Sequence, residues 1–192
     1  MDIKIPEPGT GRLFIVSGPS GSGKSTLCRE AVKLSGAHLS VSATTRSAGE
    51  KEIEGKDYYF LTDLQFKDMI QAGEFLEYAE VFGFYYGTPA QPVIEKLKQG
   101  HTVVLEIDVQ GAEQVFKRFP QAIGVLVLPP DSRELKRRLC NRGRDDDQTI
   151  ERRLKKAQWE IEQAKNSGNY QHTVINDVLD QAVKTFVDLI AE

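Results

Sequence analysis

The chain has 192 residues, 40% of them hydrophobic, so one well-buried core with small satellite lobes is expected rather than two full-sized domains. Its 25 Lys and Arg residues and 28 Asp and Glu residues give a net charge of −3. This balance excludes bulk electrostatic attraction to nucleic acid or to an anionic membrane. Any anion-binding site must therefore be local.

The cysteine usage and the lack of long apolar runs predict the compartment. Cys28 and Cys140 lie far apart and without metal-type spacing, which is typical of free thiols in a reducing environment. No apolar run reaches the roughly 20 residues needed to span a bilayer, and the first segment, MDIKIPEPGTGR, lacks the apolar core of a secretion signal. We expect a soluble cytoplasmic protein with neither nucleic acid nor membrane as a partner.

Short apolar runs, each followed by a helical pattern, recur along the chain. They lie at 12–18, 101–108, 122–128 and 172–177. Continuous apolar strands that alternate with helices predict a parallel sheet covered by helices on both faces. The predicted fold class is therefore α/β.

Residues 40–88 do not follow this alternation of apolar strands and helices. Two segments rich in aromatic residues flank the short helical pattern DLQFKDMIQAG, which predicts a small inserted lobe with a mixed or antiparallel sheet. The predicted core then consists of 12–39 and 89–192, preceded by an N-terminal tail at 1–11.

The first apolar run ends in the segment GPSGSGKS, from Gly18 to Ser25, which matches GxxxxGK[ST] between a predicted strand and a predicted helix. The glycines let successive N–H groups point at phosphates, and the helix N-terminus adds partial positive charge. Lys24 is expected to bridge the β- and γ-phosphates, and the Ser25 hydroxyl to reach Mg²⁺. The predicted nucleoside-triphosphate-binding residues here are Gly18, Pro19, Ser20, Gly21, Ser22, Gly23, Lys24, Ser25 and Thr26. A GTPase, a motor and a small-molecule kinase share this motif equally.

The segment TTRSAGE places Arg46 in a polar stretch between apolar ones. A phosphate monoester acceptor has a second pKa of about 6 and is largely ionised at neutral pH, so its phosphorylation requires no general base. The obstacle is repulsion between two anions, which preorganised cations reduce, and the arginine fork grips phosphate oxygens in pairs. Arg46 together with the tyrosine clusters in GKDYYF and FYYGT predicts an acceptor lobe. The alternative reading of Arg46 is a surface or salt-bridge residue.

Several motifs in order resemble the guanylate kinase family. After GPSGSGKST come SVSATTR, GKDYYF, FLEYAEVFGFYYGT, LEIDVQG, RRLCNRGRD and VIND, and the resemblance covers residues 12 to about 180. It implies a P-loop kinase that transfers the γ-phosphoryl group of ATP to GMP, giving ADP and GDP, with Mg²⁺ as the cofactor of ATP. It does not decide between a monomer and a homodimer.

The resemblance also implies the GMP site. Arg46 and two tyrosines would hold the phosphate, Glu77 would accept from guanine N1–H and the 2-amino group, and Thr88 and Ser42 would address O6. Adenine lacks those donors, so AMP would leave a buried carboxylate unpaired, a defect worth a factor of about 10⁴. The implied GMP-binding residues are Ser42, Arg46, Tyr58, Glu77, Tyr86, Thr88, Glu106 and Asp108.

The charged stretch at about 138–160 resembles the lid of the family. A lid would keep water, a competing acceptor, from the γ-phosphate. Asn176 matches a residue near the donor adenine. The alternative for the charged stretch is a set of solvated helix faces. The implied catalytic residues are Lys24, Arg46, Arg138, Arg142 and Arg153.

One position departs from the family pattern. The family carries a second arginine three residues after the first, where this chain has Gly49. Our hypothesis is that Lys51 partly replaces the missing charge without the bidentate geometry. Two alternatives stay open: a P-loop kinase with a different phosphorylated acceptor, and a non-catalytic guanylate-kinase-like module that binds a phosphopeptide.

Overall fold

The computed structural model describes residues 11–81, 83–140 and 146–191. In chain order its elements are β1 (Leu13–Ser17), α1 (Lys24–Ser35), β2 (His38–Leu39), β3 (Ser42–Thr44), β4 (Tyr58–Phe60), α2 (Asp63–Ala72), β5 (Phe75–Val81), β6 (Phe84–Pro89), α3 (Ala90–Lys98), β7 (Val103–Glu106), α4 (Val109–Arg118), β8 (Ile123–Leu128), α5 (Ser132–Cys140), α6 (Asp147–Ser167), β9 (Tyr170–Ile175) and α7 (Leu179–Ala191). They group into two compact units.

The first unit, called here the phosphate-loop unit, contains the described residues of 14–39, 104–109 and 122–191. Its strands form a sheet in the order β2-β7-β1-β8-β9. The pairs β1–β8 and β8–β9 are parallel, with Val16 opposite Val125 and Val127 opposite Val174. The predicted α/β class with a parallel sheet flanked by helices is confirmed.

The core of the phosphate-loop unit explains why its strands read as continuous apolar runs. Phe14 and Val16 of β1 are fully buried and pack with Leu27 of α1 and Phe186 of α7. The rings of Phe14 and Phe186 meet edge to face, with centroids 6.2 Å apart. Burying one such ring contributes about 1.5–3 kcal/mol, which fixes β1 and therefore the loop that follows it.

Helices α5 and α6 of this unit share a smaller apolar cluster. Leu135 and Leu139 of α5 are buried with Ala157 of α6, and Leu154 packs against them. Helix α6 begins at a cap in which the Asp146 carboxylate accepts a 2.7 Å hydrogen bond from the Thr149 N–H.

The second unit, called here the acceptor unit, contains the described residues of 11–13, 40–81, 83–103 and 110–121. Its sheet has the order β4-β3-β6-β5; β3 and β4 are parallel, and the other two pairs are antiparallel. The grouping of α3 and most of α4 with this sheet was not indicated by the pattern of strands and helices. The sequence-based boundary at residue 88 stays a prediction.

Helix α2 holds the acceptor sheet together from one side. It begins at a capping box in which Thr62 and Gln65 bond to each other's backbone N–H, and it ends at Gly73, whose φ of 69° is readily adopted by glycine. The ring of Phe66 is fully buried and stacks on the rings of Phe75 and Tyr85, with centroid distances of 4.3 Å and 5.4 Å.

Within the described ranges, no helix is long and apolar enough to cross a membrane.

Candidate active site

The loop between β1 and α1 has three glycines with positive φ, a conformation that other residues rarely adopt: Gly18, Gly21 and Gly23. Gly18 has a φ of 150° and Gly23 a φ of 86°. A Cβ atom on Gly18 would overlap the carbonyl oxygen of Val127, and one on Gly23 would overlap the side-chain amide of Asn176. The loop is therefore closely fitted to its neighbours and leads directly into the first turn of α1.

Lys24 is folded back onto this loop. Its Nζ donates to the carbonyl oxygens of Gly18 at 2.6 Å and Pro19 at 3.2 Å. Burial lowers the pKa of Lys24, while the carboxylates of Glu106, Glu160 and Asp108 act in the opposite direction. The ammonium is therefore a poorly hydrated cation beside the loop. Such a cation can pair with an anionic phosphate.

Ser25, the first hydroxyl after Lys24, pairs with an acidic residue from another strand. Its Oγ donates a 2.5 Å hydrogen bond to Glu106, which ends β7. Asp108, two residues further on, is half-buried in the same unit. The structure therefore places the Glu106 carboxylate against the phosphate loop, a position that the sequence did not reveal.

Arg138 and Asn176 are anchored to the same loop. Arg138 donates from Nη2 to the carbonyl oxygen of Asn176 at 2.8 Å and from Nη1 to that of Ser22 at 3.4 Å, and the Asn176 amide donates to Ser22 at 2.8 Å. Glu134 accepts from Arg138 Nε at 2.7 Å and from Arg137 at 2.6 Å and 2.7 Å. These hydrogen bonds, Arg137 first and then Arg138, lower the pKa of Glu134 to about 2.

The remaining residues predicted to act on the triphosphate differ in their exposure to solvent. Ser20 and Thr26 are exposed, and Arg153 is half-buried on α6. Arg142 lies outside the described residues.

Glu160 on α6 is a buried carboxylate that the sequence analysis did not single out. Burial raises its pKa, and it lies 3.7 Å from the ammonium of Lys156.

The acceptor unit brings Arg46 together with two tyrosines. Strand pairing places Thr44 opposite Tyr86, and the rings of Tyr58 and Tyr86 have centroids 6.0 Å apart. The Arg46 guanidinium carbon lies 5.6 Å from the centroid of the Tyr58 ring. Ser42, also predicted as a GMP ligand, is half-buried and lies opposite Tyr58 in the pairing of β3 with β4.

Arg46 also has a carboxylate partner that sequence reasoning missed. Its Nη2 donates to Glu52 at 2.8 Å, and its Nη1 donates to the Ser47 carbonyl at 2.7 Å. The hydrogen bond with Glu52 raises the pKa of Arg46 further above its ordinary value. Arg46 is therefore a fixed cation in a loop, with about a third of its side chain exposed.

A second polar pair lies buried in the acceptor unit. Glu77 on β5 and Thr88 on β6 face each other in the strand register, and the Thr88 hydroxyl donates to Glu77 Oε1 at 2.6 Å. Glu77 is only 6% exposed. Gly111 of α4 lies against the other oxygen, since a Cβ there would be 2.5 Å from Glu77 Oε2. A buried carboxylate held in this way can discriminate between ligands by their hydrogen-bond donors.

Comparisons with known proteins agree with this arrangement. The guanylate kinase family model matches residues 10–192. A guanylate kinase of Clostridium acetobutylicum is 46% identical over 180 residues, which cover 94% of this chain and 85% of that protein. One of Prochlorococcus marinus is 44% identical, with 93% of this chain and 96% of that protein covered.

A solved structure is similar as well. The crystal structure of guanylate kinase from Anaplasma phagocytophilum is 30% identical in sequence, with a TM-score of 0.75 over 95% of this chain and 85% of that one. The family match spans nearly the whole chain, and the relatives are well above the identity at which homology is secure. The chain therefore belongs to the guanylate kinase family.

Proposed function

We propose that the chain transfers the γ-phosphoryl group of ATP to GMP, giving ADP and GDP. Membership of the guanylate kinase family supports this activity, as do the names of its relatives. The observation that carries the proposal is that one chain contains two distinct cationic arrangements, a glycine loop with Lys24 and a tyrosine-flanked Arg46. A reaction between two phosphorylated substrates needs both.

The phosphate loop binds ATP in this proposal. Its N–H groups receive the phosphates, Lys24 exchanges its carbonyl partners for phosphate oxygens, and Arg138 approaches the triphosphate from α5. Asn176 is assigned to the adenine of ATP by family resemblance, and its hydrogen bond to the Ser22 carbonyl oxygen supports a position beside the loop. The residues assigned to ATP are Gly18, Pro19, Ser20, Gly21, Ser22, Gly23, Lys24, Ser25, Thr26 and Asn176.

Mg²⁺ is the proposed cofactor, and the oxygen donors at the loop fit it. The Ser25 hydroxyl and Glu106 carboxylate are hard oxygen ligands side by side. Among the described residues, no group of three or more His, Cys, Asp or Glu side chains could hold a metal alone. Mg²⁺ is usually bound through one or two carboxylates together with substrate phosphates and water, and Glu106 supplies one carboxylate beside Ser25. When bound, Mg²⁺ neutralises charge on the β- and γ-phosphates.

The acceptor unit binds GMP in this proposal. Arg46, Tyr58 and Tyr86 hold the phosphate, which is already ionised and needs no base. Glu77 accepts from the guanine donors, with Thr88 keeping one carboxylate oxygen in place. Ser42, Glu106 and Asp108 complete the proposed set of GMP ligands.

Catalysis then consists of alignment and charge neutralisation, without a covalent intermediate. Lys24 and Arg138 act on the donor side and Arg46 on the acceptor side. Arg153 is assigned to the lid by family resemblance, as is Arg142, which lies outside the described residues. The lid would exclude water from the γ-phosphate.

The setting of the enzyme follows from the same properties. We propose a cytoplasmic location, supported by two free thiols at Cys28 and Cys140. The net charge of −3 supports small-molecule substrates rather than a nucleic acid or membrane partner. The proposed assembly is a monomer or a homodimer, which light scattering on purified protein would distinguish.

The test is ADP release from ATP and Mg²⁺ after addition of GMP, dGMP, IMP, AMP, CMP or UMP in turn. Turnover with GMP, or with GMP and dGMP, is the expected result. Turnover with another monophosphate in preference to GMP would indicate a different acceptor. Turnover with none, combined with binding of a phosphopeptide, would indicate the non-catalytic module.

A further inference from the structure

The carboxylate of Glu52 joins the two ends of the turn that carries Arg46. Its Oε1 accepts from Arg46 Nη2 at 2.8 Å, and its Oε2 accepts from the Gly49 N–H at 2.6 Å. The Glu52 N–H in turn donates to the Gly49 carbonyl oxygen at 3.0 Å. Both oxygens of this side chain therefore stabilise the turn from 46 to 52.

These contacts hold the Arg46 guanidinium in place but do not use all of its N–H donors. The Arg46 guanidinium donates to the Ser47 carbonyl oxygen and to Glu52. A guanidinium carries five N–H donors, so these contacts leave enough donors for a bidentate grip on a phosphate, which uses two. Arginine otherwise has large rotamer freedom, part of which would be lost on binding.

We propose that Glu52 is a positioning residue for GMP: it holds Arg46 in the orientation that receives the acceptor phosphate, before the substrate arrives. The inference rests on the proposed function, because it takes Arg46 to be the phosphate ligand. Glu52 itself does not touch the substrate.

A negative charge beside a phosphate site has the opposite effect as well, since it repels the dianion. In this turn, however, the Glu52 charge is compensated at short range by the guanidinium and by a backbone N–H, which also lower the pKa of Glu52. About 30% of each side chain is exposed, so solvent screens the remaining field. The gain from ordering Arg46 should therefore dominate, at a factor of about 3 to 10 in affinity.

The first experiment compares Glu52→Gln with Glu54→Gln. Glu54 is a matched control, since it lies on the same loop, is exposed, and accepts a 2.9 Å hydrogen bond from the Phe60 N–H. Glutamine at position 52 keeps the size but loses the charge that grips Arg46. We expect the KM for GMP to rise about threefold to tenfold in Glu52→Gln. The KM for ATP should stay unchanged, and Glu54→Gln should behave as wild type.

The second experiment introduces Glu52→Gln into an Arg46→Ala background and measures kcat/KM for GMP. Because the glutamate acts through the arginine, no further decrease is expected there, whereas independent effects would multiply. An unchanged or lowered KM for GMP in the single variant, or an equal decrease in both backgrounds, would overturn the inference. If Arg46→Ala alone leaves kcat/KM for GMP unchanged, the assignment of Arg46 is wrong, so the two failures are distinguishable.

Discussion

The Thr88 hydroxyl donates a 2.6 Å hydrogen bond to the carboxylate of Glu77, and both side chains are buried in the acceptor sheet. The strand register places the two residues directly opposite each other on β5 and β6. A carboxylate oxygen can accept more than one hydrogen bond, so a buried carboxylate that is fixed by protein groups can still accept from a ligand. This pair is therefore suited to bind the N1–H and 2-amino donors of guanine.

Removing the hydroxyl of Thr88 should weaken GMP selectively. We expect Thr88→Val to raise the KM for GMP about tenfold or more, because a hydrogen bond to a charged group contributes about 1.5–3 kcal/mol. Steady-state kinetics with each substrate varied in turn would measure it. Thr88→Ser keeps the hydroxyl and serves as the control. A similar rise in the KM for ATP would contradict the assignment.

Gly111 offers a steric test of the same carboxylate. A Cβ at this position would lie 2.5 Å from Glu77 Oε2 and 3.0 Å from its Cδ, so Gly111→Ala must displace the side chain. We expect kcat/KM for GMP to fall about tenfold to a hundredfold while the KM for ATP is retained, as in other cases where a polar contact is misplaced. Glu113→Ala, at an exposed position of α4, is the matched control. Wild-type kinetics in Gly111→Ala would show that Glu77 does not read the base.

Glu134 predicts a pH-dependent contribution to stability. The arginines hold its pKa at about 2 in the folded chain, against 4.5 ordinarily. A lowered carboxyl pKa means that its stabilisation is fully present above about pH 4.5 and is lost as the pH falls towards 2. The Tm difference between wild type and Glu134→Gln should therefore be largest near neutral pH and shrink below pH 4.5.

The same variant should also slow the reaction, because Glu134 holds Arg138 at the phosphate loop. We expect kcat to fall by about tenfold, with a smaller change in the KM for GMP. Glu30→Gln is the control, since that carboxylate pairs with the exposed Lys33 on α1 and not with Arg138. A Tm difference that does not vary between pH 7 and pH 3 would contradict the ion-pair account.

Substitutions at Lys51 and Gly49 test whether Lys51 partly replaces the arginine that the family carries at position 49. Lys51 is exposed and has no partner among the residues that the structure describes. A Cβ on Gly49 would meet Glu52 Oε2 at 3.1 Å, so a larger residue needs only a small shift of that side chain. We expect Lys51→Ala to raise the KM for GMP about twofold to fivefold at low salt, and Gly49→Arg to lower it.

Kinetics at two salt concentrations would measure these effects, and Lys56→Ala, another exposed lysine of the same lobe, is the control. No rise in the first variant and no fall in the second would reject the compensation hypothesis.

The amino-acid sequence predicted those parts of the fold that depend on residues close together in the chain. The strand, glycine loop and helix from Leu13 to Ser35 follow from one contiguous motif, and the parallel sheet follows from repeated apolar runs. The contact of Ser25 with Glu106 joins residues 81 positions apart, and no spacing rule indicates it.

Two other missed contacts had different signals. The pairing of Arg46 with Glu52 depends on the shape of the turn between them, which a polar stretch does not specify. Glu134 and Arg138 lie at i, i+4 on α5, so this pair was readable as a helix-face interaction. Its link through Arg138 to the phosphate loop was not, because that requires the fold.

The central claim is that one chain grips two polyanions, ATP at the glycine loop and GMP at Arg46. A crystal structure of the protein with GMP and a non-hydrolysable ATP analogue tests it most directly. We predict that the GMP phosphate lies within about 3 Å of the Arg46 guanidinium and that the triphosphate lies against the segment from Gly18 to Ser25. GMP bound elsewhere, with Arg46 paired only to protein groups, would contradict it.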